Sequence, residues 1–225
     1  MEKSYKILGI DLGGCMSGNS AYIYAQVSPN KVEIIEAFKE PKHKDHHSCQ
    51  QFMIDVLERL EFDAIAIDAP LSLPRSLREP DFSAPPREGT GEIMNPYLFR
   101  YTDYYLYKEF SLRPMPPAGD RIGRLTARAI ALLHHFNYQF PNVHIKGKKV
   151  PIFEVYPKQV AYALGFPLYK KEPQSLLEHL KQSPLEDEHL IDALLCTYVG
   201  AKILNGKTTH IVPEAKDEGW CFPLI

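Results

Sequence analysis

The chain has 225 residues, with 26 Lys and Arg against 28 Asp and Glu, a net charge of −2 and a pI of about 6.5. This length suits one sizeable core, so a single domain over 1–225 with one insert at about 69–120 is the expected organisation. The even charge balance excludes a global basic field, and any nucleic-acid contact must come from local patches.

Residues 5–11 read as a buried strand, an apolar run that closes on Asp11 before the turn signal Leu12-Gly13-Gly14. A second strand follows at 20–25, a hairpin turn at Ser28-Pro29-Asn30-Lys31 and a returning strand at 32–38. Residues 49–60 carry Phe52, Val56, Leu57 and Leu60 at helical spacing, and Ala64 to Ile67 form a fourth strand ending at Asp68. The order β-β-β-α-β makes the first and fourth strands parallel neighbours across a helical crossover. Nine prolines then fall between 69 and 120, which excludes one long helix there and marks an irregular, functional insert with a short helix at 97–110.

Residues 121–136 form an amphipathic helix, with Ile122, Leu125, Ala129, Leu132, Leu133 and Phe136 on one face and Arg121, Arg124 and Arg128 on another. A fifth strand is expected at 148–155 around Glu154. Helices follow at Pro157, at 174–182 and from about Glu186 to Leu204, the last stopped by Asn205-Gly206. The pattern is α/β.

Four carboxylates stand where strands or helices end or turn inward: Asp11, Asp68, Glu154 and Asp192. In parallel sheets, ligand sites lie beyond the carboxyl ends of the strands. Asp11 and Asp68 would share that rim, and Glu154 would reach it from the fifth strand. On the last helix Glu188 and Asp192 are four apart and His189 and Asp192 three apart, so either pair shares a face. Hard oxygen ligands in this arrangement indicate Mg²⁺ or Mn²⁺ and phosphoryl chemistry. Each residue also has an ordinary explanation. Asp11 and Asp68 suit turns, Glu154 suits a solvent-facing strand position and Asp192 suits a helical ion pair; only the set as a whole carries the signal.

The motifs Gly9-Ile10-Asp11-Leu12, Ala66-Ile67-Asp68-Ala69-Pro70-Leu71-Ser72-Leu73-Pro74, Phe153-Glu154-Val155-Tyr156-Pro157 and His189-Leu190-Ile191-Asp192-Ala193-Leu194 resemble domain-of-unknown-function family 429, as does Arg100-Tyr101-Thr102-Asp103. That family is grouped among predicted nucleases. The resemblance implies an RNase H-like mixed five-stranded sheet with helices on both faces and the Pro-rich insert over the active edge. It also implies a metal-dependent nuclease site built from Asp11, Asp68, Glu154, Asp192 and His189. His189 stands where many enzymes of the superfamily hold a carboxylate, either as a ligand or as the group that orients water. Arg100, Arg121, Arg124 and Arg128 are candidates for phosphate contacts, with ion pairing as the alternative role for each. DNA or RNA is the expected partner.

Other chemistry is thinner. Cys15, Cys49, Cys196 and Cys221 lack CxxC spacing, which argues against zinc and for reduced thiols. The first residues enter a strand without a signal-peptide core, and no apolar run nears the about 20 residues that cross a bilayer, so a cytoplasmic protein is expected. The run Lys42 to His47 is expected to be a solvated loop rather than a transition-metal site. Gly9 to Gly14 also resembles the first phosphate motif of actin-like and sugar-kinase ATPases, but no second glycine-rich loop follows. A binding module of the same fold without turnover and a small ATP-dependent phosphotransferase are the alternative functions.

Overall fold

The computed structural model describes residues 3–15, 17–28, 31–79, 94–185, 187–207 and 218, except for the side chain of Asp120. Six strands form one mixed sheet: β1 (Tyr5–Asp11), β2 (Ala21–Ser28), β3 (Lys31–Lys39), β4 (Ala64–Asp68), β5 (Asn142–Ile145) and β6 (Lys148–Glu154). Their order is β3-β2-β1-β4-β6-β5. β1, β2 and β3 are antiparallel, whereas β1, β4 and β6 run parallel. This is the expected α/β architecture with a mixed sheet, with six strands in place of five.

The added strand is β5, which pairs antiparallel with β6 through a tight hairpin. Lys146 (φ 50°) and Gly147 (φ 75°) both adopt left-handed backbone in its turn, the conformation a two-residue hairpin needs. Four residues and a Lys in place of the usual Asn or Asp leave little sequence signal for it. In the hairpin expected at 28–31, Pro29 and Asn30 lie outside the described residues.

Seven helices lie among the described residues: α1 (His46–Arg59), α2 (Arg75–Arg78), α3 (Tyr101–Phe110), α4 (Asp120–His135), α5 (Pro157–Ala163), α6 (Pro173–His179) and α7 (Glu188–Leu204). α1 starts where Asp45 accepts a hydrogen bond from Ser48 N at 2.8 Å, so the His-rich run becomes a cap and a first turn. On one face of the sheet, Ile7, Ala66 and Phe153 pack with Val160 of α5, Leu176 of α6 and Leu194 of α7. On the other, Leu8, Ile10, Ile65 and Ile67 pack with Met53 of α1 and Leu132 of α4. The central strands are buried on both sides, which is why they read as continuous apolar runs. The edge strand β3 instead alternates between half-buried and exposed residues. No described helix is long and apolar enough to cross a membrane.

Of the insert, residues 80–93 lie outside the described residues; the remainder forms α2, α3 and an irregular stretch leading to α4. The predicted helix at 97–110 is α3, shorter by its first turn. Glu186, the expected start of the last helix, and Cys221 also lie outside the described residues, and α7 begins at Glu188.

α7 lies unusually close to β1. A Cβ on Gly9 would stand 2.1 Å from Thr197 Oγ1 and 2.2 Å from the Ala193 carbonyl oxygen, so only glycine permits this approach. Gly9→Ala must push the helix outward, at a cost of about 1–3 kcal/mol. Thermal denaturation should show a Tm lower by several degrees, since about 1 kcal/mol moves a domain of this size by roughly 2–4 °C. An unchanged Tm would show that the contact is slack.

Candidate metal centre

The parallel register of β1 and β4 pairs Asp11 directly with Asp68 at the carboxyl ends of the two strands. α7, lying across β1, β2 and β4, brings Asp192 over the same point. One carboxylate oxygen from each of Asp11, Asp68 and Asp192 falls within 4.8 Å of the others, and this is the only such metal-capable group among the described residues. Asp11 and Asp192 are buried and Asp68 is partly exposed. Three converging carboxylates are the donor set that a hard divalent cation takes.

The electrostatics agree. Burial, followed by the charges of Asp11 and Asp192, holds the Asp68 carboxyl well above its usual range. Burial and Asp11 likewise raise Asp192. Two groups offset part of the negative charge. Lys170 Nζ donates to Asp192 Oδ2 at 2.6 Å, and Tyr169 OH donates to Asp192 Oδ1 at 2.6 Å. Burial opposes the charge on Lys170, but its bond to Asp192 prevails and raises its pKa. Neither Tyr169 nor Lys170 belongs to a motif: they lie on the turn between α5 and α6, and no periodicity or spacing pointed to them.

His189 enters the site through Asp11 rather than as a member of the carboxylate cluster. Its Nδ1 lies 2.7 Å from Asp11 Oδ2, and this bond raises the imidazole pKa against the effect of burial. Asp187 caps α7 by accepting from His189 N at 2.9 Å and pairs with Lys39 at the end of β3 at 2.6 Å. The helix start is thus tied to the sheet edge. Glu188 is more than half exposed and 3.7 Å from Lys170.

Glu154 borders the same pocket but both its oxygens are engaged elsewhere. Arg100 Nη2 donates to Oε1 at 2.6 Å; Arg100 Nη1 and the Leu71 N–H donate to Oε2 at 2.7 and 2.9 Å. The other side of the Arg100 guanidinium donates to Asp103, from Nε at 3.0 Å and from Nη2 at 2.9 Å. Arg100 is 2% exposed. Its four side-chain hydrogen bonds go to carboxylates, so it locks α3 to the end of β6.

The remaining arginines also diverge from the cluster. Arg128 is buried, pairing with Glu40 at 2.7 Å and donating to Ser20 Oγ and the Gly13 carbonyl at 2.8 Å each. It anchors the loop after Asp11. Arg124 lines a different cavity with Cys15, His46 and His47, and Arg121 is exposed on α4. The ion-pair alternative therefore describes Arg100 and Arg128.

Two outcomes test these assignments. Without metal, the raised carboxyls of Asp68 and Asp192 make the native chain bind more protons than the unfolded chain above the ordinary 3.8, so stability falls as pH rises through that window. Asp68→Asn should flatten this fall, raise the metal-free Tm at pH 7–8 by a few degrees and remove the Tm increase that Mn²⁺ gives the wild type. A variant that still gains from Mn²⁺ would exclude Asp68 as a ligand. Arg100→Met should strand Asp103 and Glu154 as buried charges and cost about 3–5 kcal/mol in chemical denaturation. A fully stable variant would contradict the locking role.

Among curated protein sequences none matches this chain. Among solved structures it is similar to T. thermophilus RuvC in complex with a Holliday junction substrate, at 14% sequence identity and a TM-score of 0.46, over 90% of this chain and 96% of that one. The family model described as "Protein of unknown function (DUF429)" matches residues 9–217, which span all four carboxylates and the insert. By that match the chain belongs to the DUF429 family.

Proposed function

We propose that this chain is a metal-dependent phosphodiesterase, a nuclease acting on DNA or RNA with Mg²⁺ or Mn²⁺ held by Asp11, Asp68 and Asp192. The observation that carries the reading is the convergence of three carboxylates within 4.8 Å at the carboxyl ends of parallel strands. The family resemblance of the motifs points to nucleic acid as the phosphodiester. A divalent cation at such a site lowers the pKa of a water and neutralises charge on the phosphate oxygens.

The residues divide the remaining work. Asp11 and Asp68 present adjacent oxygens from paired strands, and Asp192 closes the set from α7. His189 holds Asp11 in one orientation, and Tyr169 does the same for Asp192. Glu154, fixed by Arg100, positions Leu71 and the chain that follows Asp68. Lys170, bonded to Asp192 but with its side chain 43% exposed, is better placed to meet a phosphate than Arg100, which is buried against its carboxylates. In the reaction, the water oxygen bonds to phosphorus, the phosphorus–oxygen ester bond breaks and the water proton ends on the leaving oxygen.

Mn²⁺-dependent cleavage assayed over single-stranded, duplex and branched DNA and RNA, with calorimetry of Mn²⁺ binding, tests the proposal. Wild type should bind Mn²⁺ and cleave at least one substrate, and Asp11→Asn and Asp192→Asn should each lose both properties. Mn²⁺ binding without cleavage of any substrate would favour a binding module of the same fold; Mn²⁺-dependent hydrolysis or transfer from ATP would favour the phosphotransferase.

A further inference from the structure

The pocket that holds the three carboxylates has a volume of about 230 Å³, and its lining is chemically divided. Part of it is acidic. Another part is apolar, built from Leu106 of α3, Met115 of the insert, and Ile122 and Leu125 of α4. α4 therefore turns its apolar face to the pocket, while Arg124 and Arg128 line another cavity. Among the described residues, only Arg100, Lys170 and His189 bring cationic chemistry to the pocket, and each is paired with carboxylates: Arg100 with Asp103 and Glu154, His189 with Asp11 and Lys170 with Asp192.

The described lining offers few of the cations that a groove for continuous duplex presents. Duplex binding draws its affinity from many phosphate contacts made by Lys and Arg along the backbone. Here apolar side chains of α3, the insert and α4 line the same pocket as the carboxylates, and its volume of about 230 Å³ admits a single nucleotide-sized unit rather than a duplex. Met115 lines this pocket and is 55% exposed, an apolar surface within reach of a ligand.

Resting on the phosphodiesterase reading above, we infer that the pocket takes one unstacked nucleotide unit, either the end of a single strand or a nucleotide turned out of a helix. Its base and sugar lie against Leu106, Met115, Ile122 and Leu125, and its phosphate lies at the carboxylates, beside the Lys170–Asp192 pair. Unstacking costs a few kcal/mol in a paired duplex and far less at a strand end, so single-stranded ends are the favoured substrate. The apolar wall offers contact without reading base edges, so discrimination among bases should be weak.

The test compares thymidine 5′-monophosphate with inorganic phosphate, each titrated calorimetrically into the full chain with Mn²⁺ present. The nucleotide should bind at least about tenfold more tightly, the direction expected when a base and sugar bury apolar surface against these side chains. Met115→Glu should reduce the nucleotide to the affinity of phosphate, and Met115→Leu, which adds no charge, should retain the advantage and keep wild-type Mn²⁺ affinity. Met115 is exposed, so neither variant threatens folding. Equal affinities for nucleotide and phosphate in a chain that binds Mn²⁺ would overturn the inference and leave the metal site standing. Absence of Mn²⁺ binding in the wild type would instead sink the phosphodiesterase reading. Binding of a closed-end duplex as tight as that of a single strand, and unaffected by Met115→Glu, would also overturn it.

Discussion

The seating of α7 on β1 is the contact on which the rest depends. Gly9 lets the helix backbone reach the strand, and Gly200 does the same one turn from the far end, where a Cβ would meet Ile7 and Ala66 at 3.1 and 3.2 Å. Between these two points Ala193, Leu194 and Cys196 are fully buried. The approach sets the height of the helix above the sheet. It thereby sets how near Asp192 comes to a pair of carboxylates that the strand register has already placed side by side. A helix held farther out by a methyl group would still cover the core, but the third carboxylate would no longer converge on the first two.

Packing of this kind creates an electrostatic problem that the surrounding residues contain. Three carboxylates in one partly enclosed space repel one another and lose solvation, which is why Asp68 and Asp192 hold their protons more tightly than usual. Lys170 and His189 each lend one hydrogen bond to the cluster, enough to orient two of its members and too few to neutralise it. The residual charge is what makes the site attractive to a divalent cation.

A second charged centre does the opposite work. Arg100, Asp103 and Glu154 satisfy one another in a buried network that fastens the insert to the end of β6. Glu218, the one described residue of the C-terminal segment, reinforces it: its carboxylate accepts from Arg75 N at 2.7 Å and from Tyr101 N, so it caps both α2 and α3. The insert beside the pocket is thus held by ion pairs and caps from distant parts of the chain.

The α/β order, the two-sided burial of β1 and β4 and the positions of Asp11, Asp68 and Asp192 were legible in the sequence, because apolar runs that stop at a carboxylate are local patterns and parallel pairing follows from the crossover. The division of labour within the acidic set was not. Glu154 and Arg100 both read as site residues, and only their 2.6 Å contact shows that each occupies the other. Arg124 and Arg128 share a helix face with Arg121 in sequence, yet the orientation of α4 sends Ile122 and Leu125 to the pocket and Arg128 to Glu40. Lys170 and Tyr169 carry no periodic signal, since they sit on a turn whose path is set by packing of α5 and α6. Periodicity tells which residues share a face; what that face meets depends on contacts between residues far apart in the chain, and those the tertiary structure alone decides.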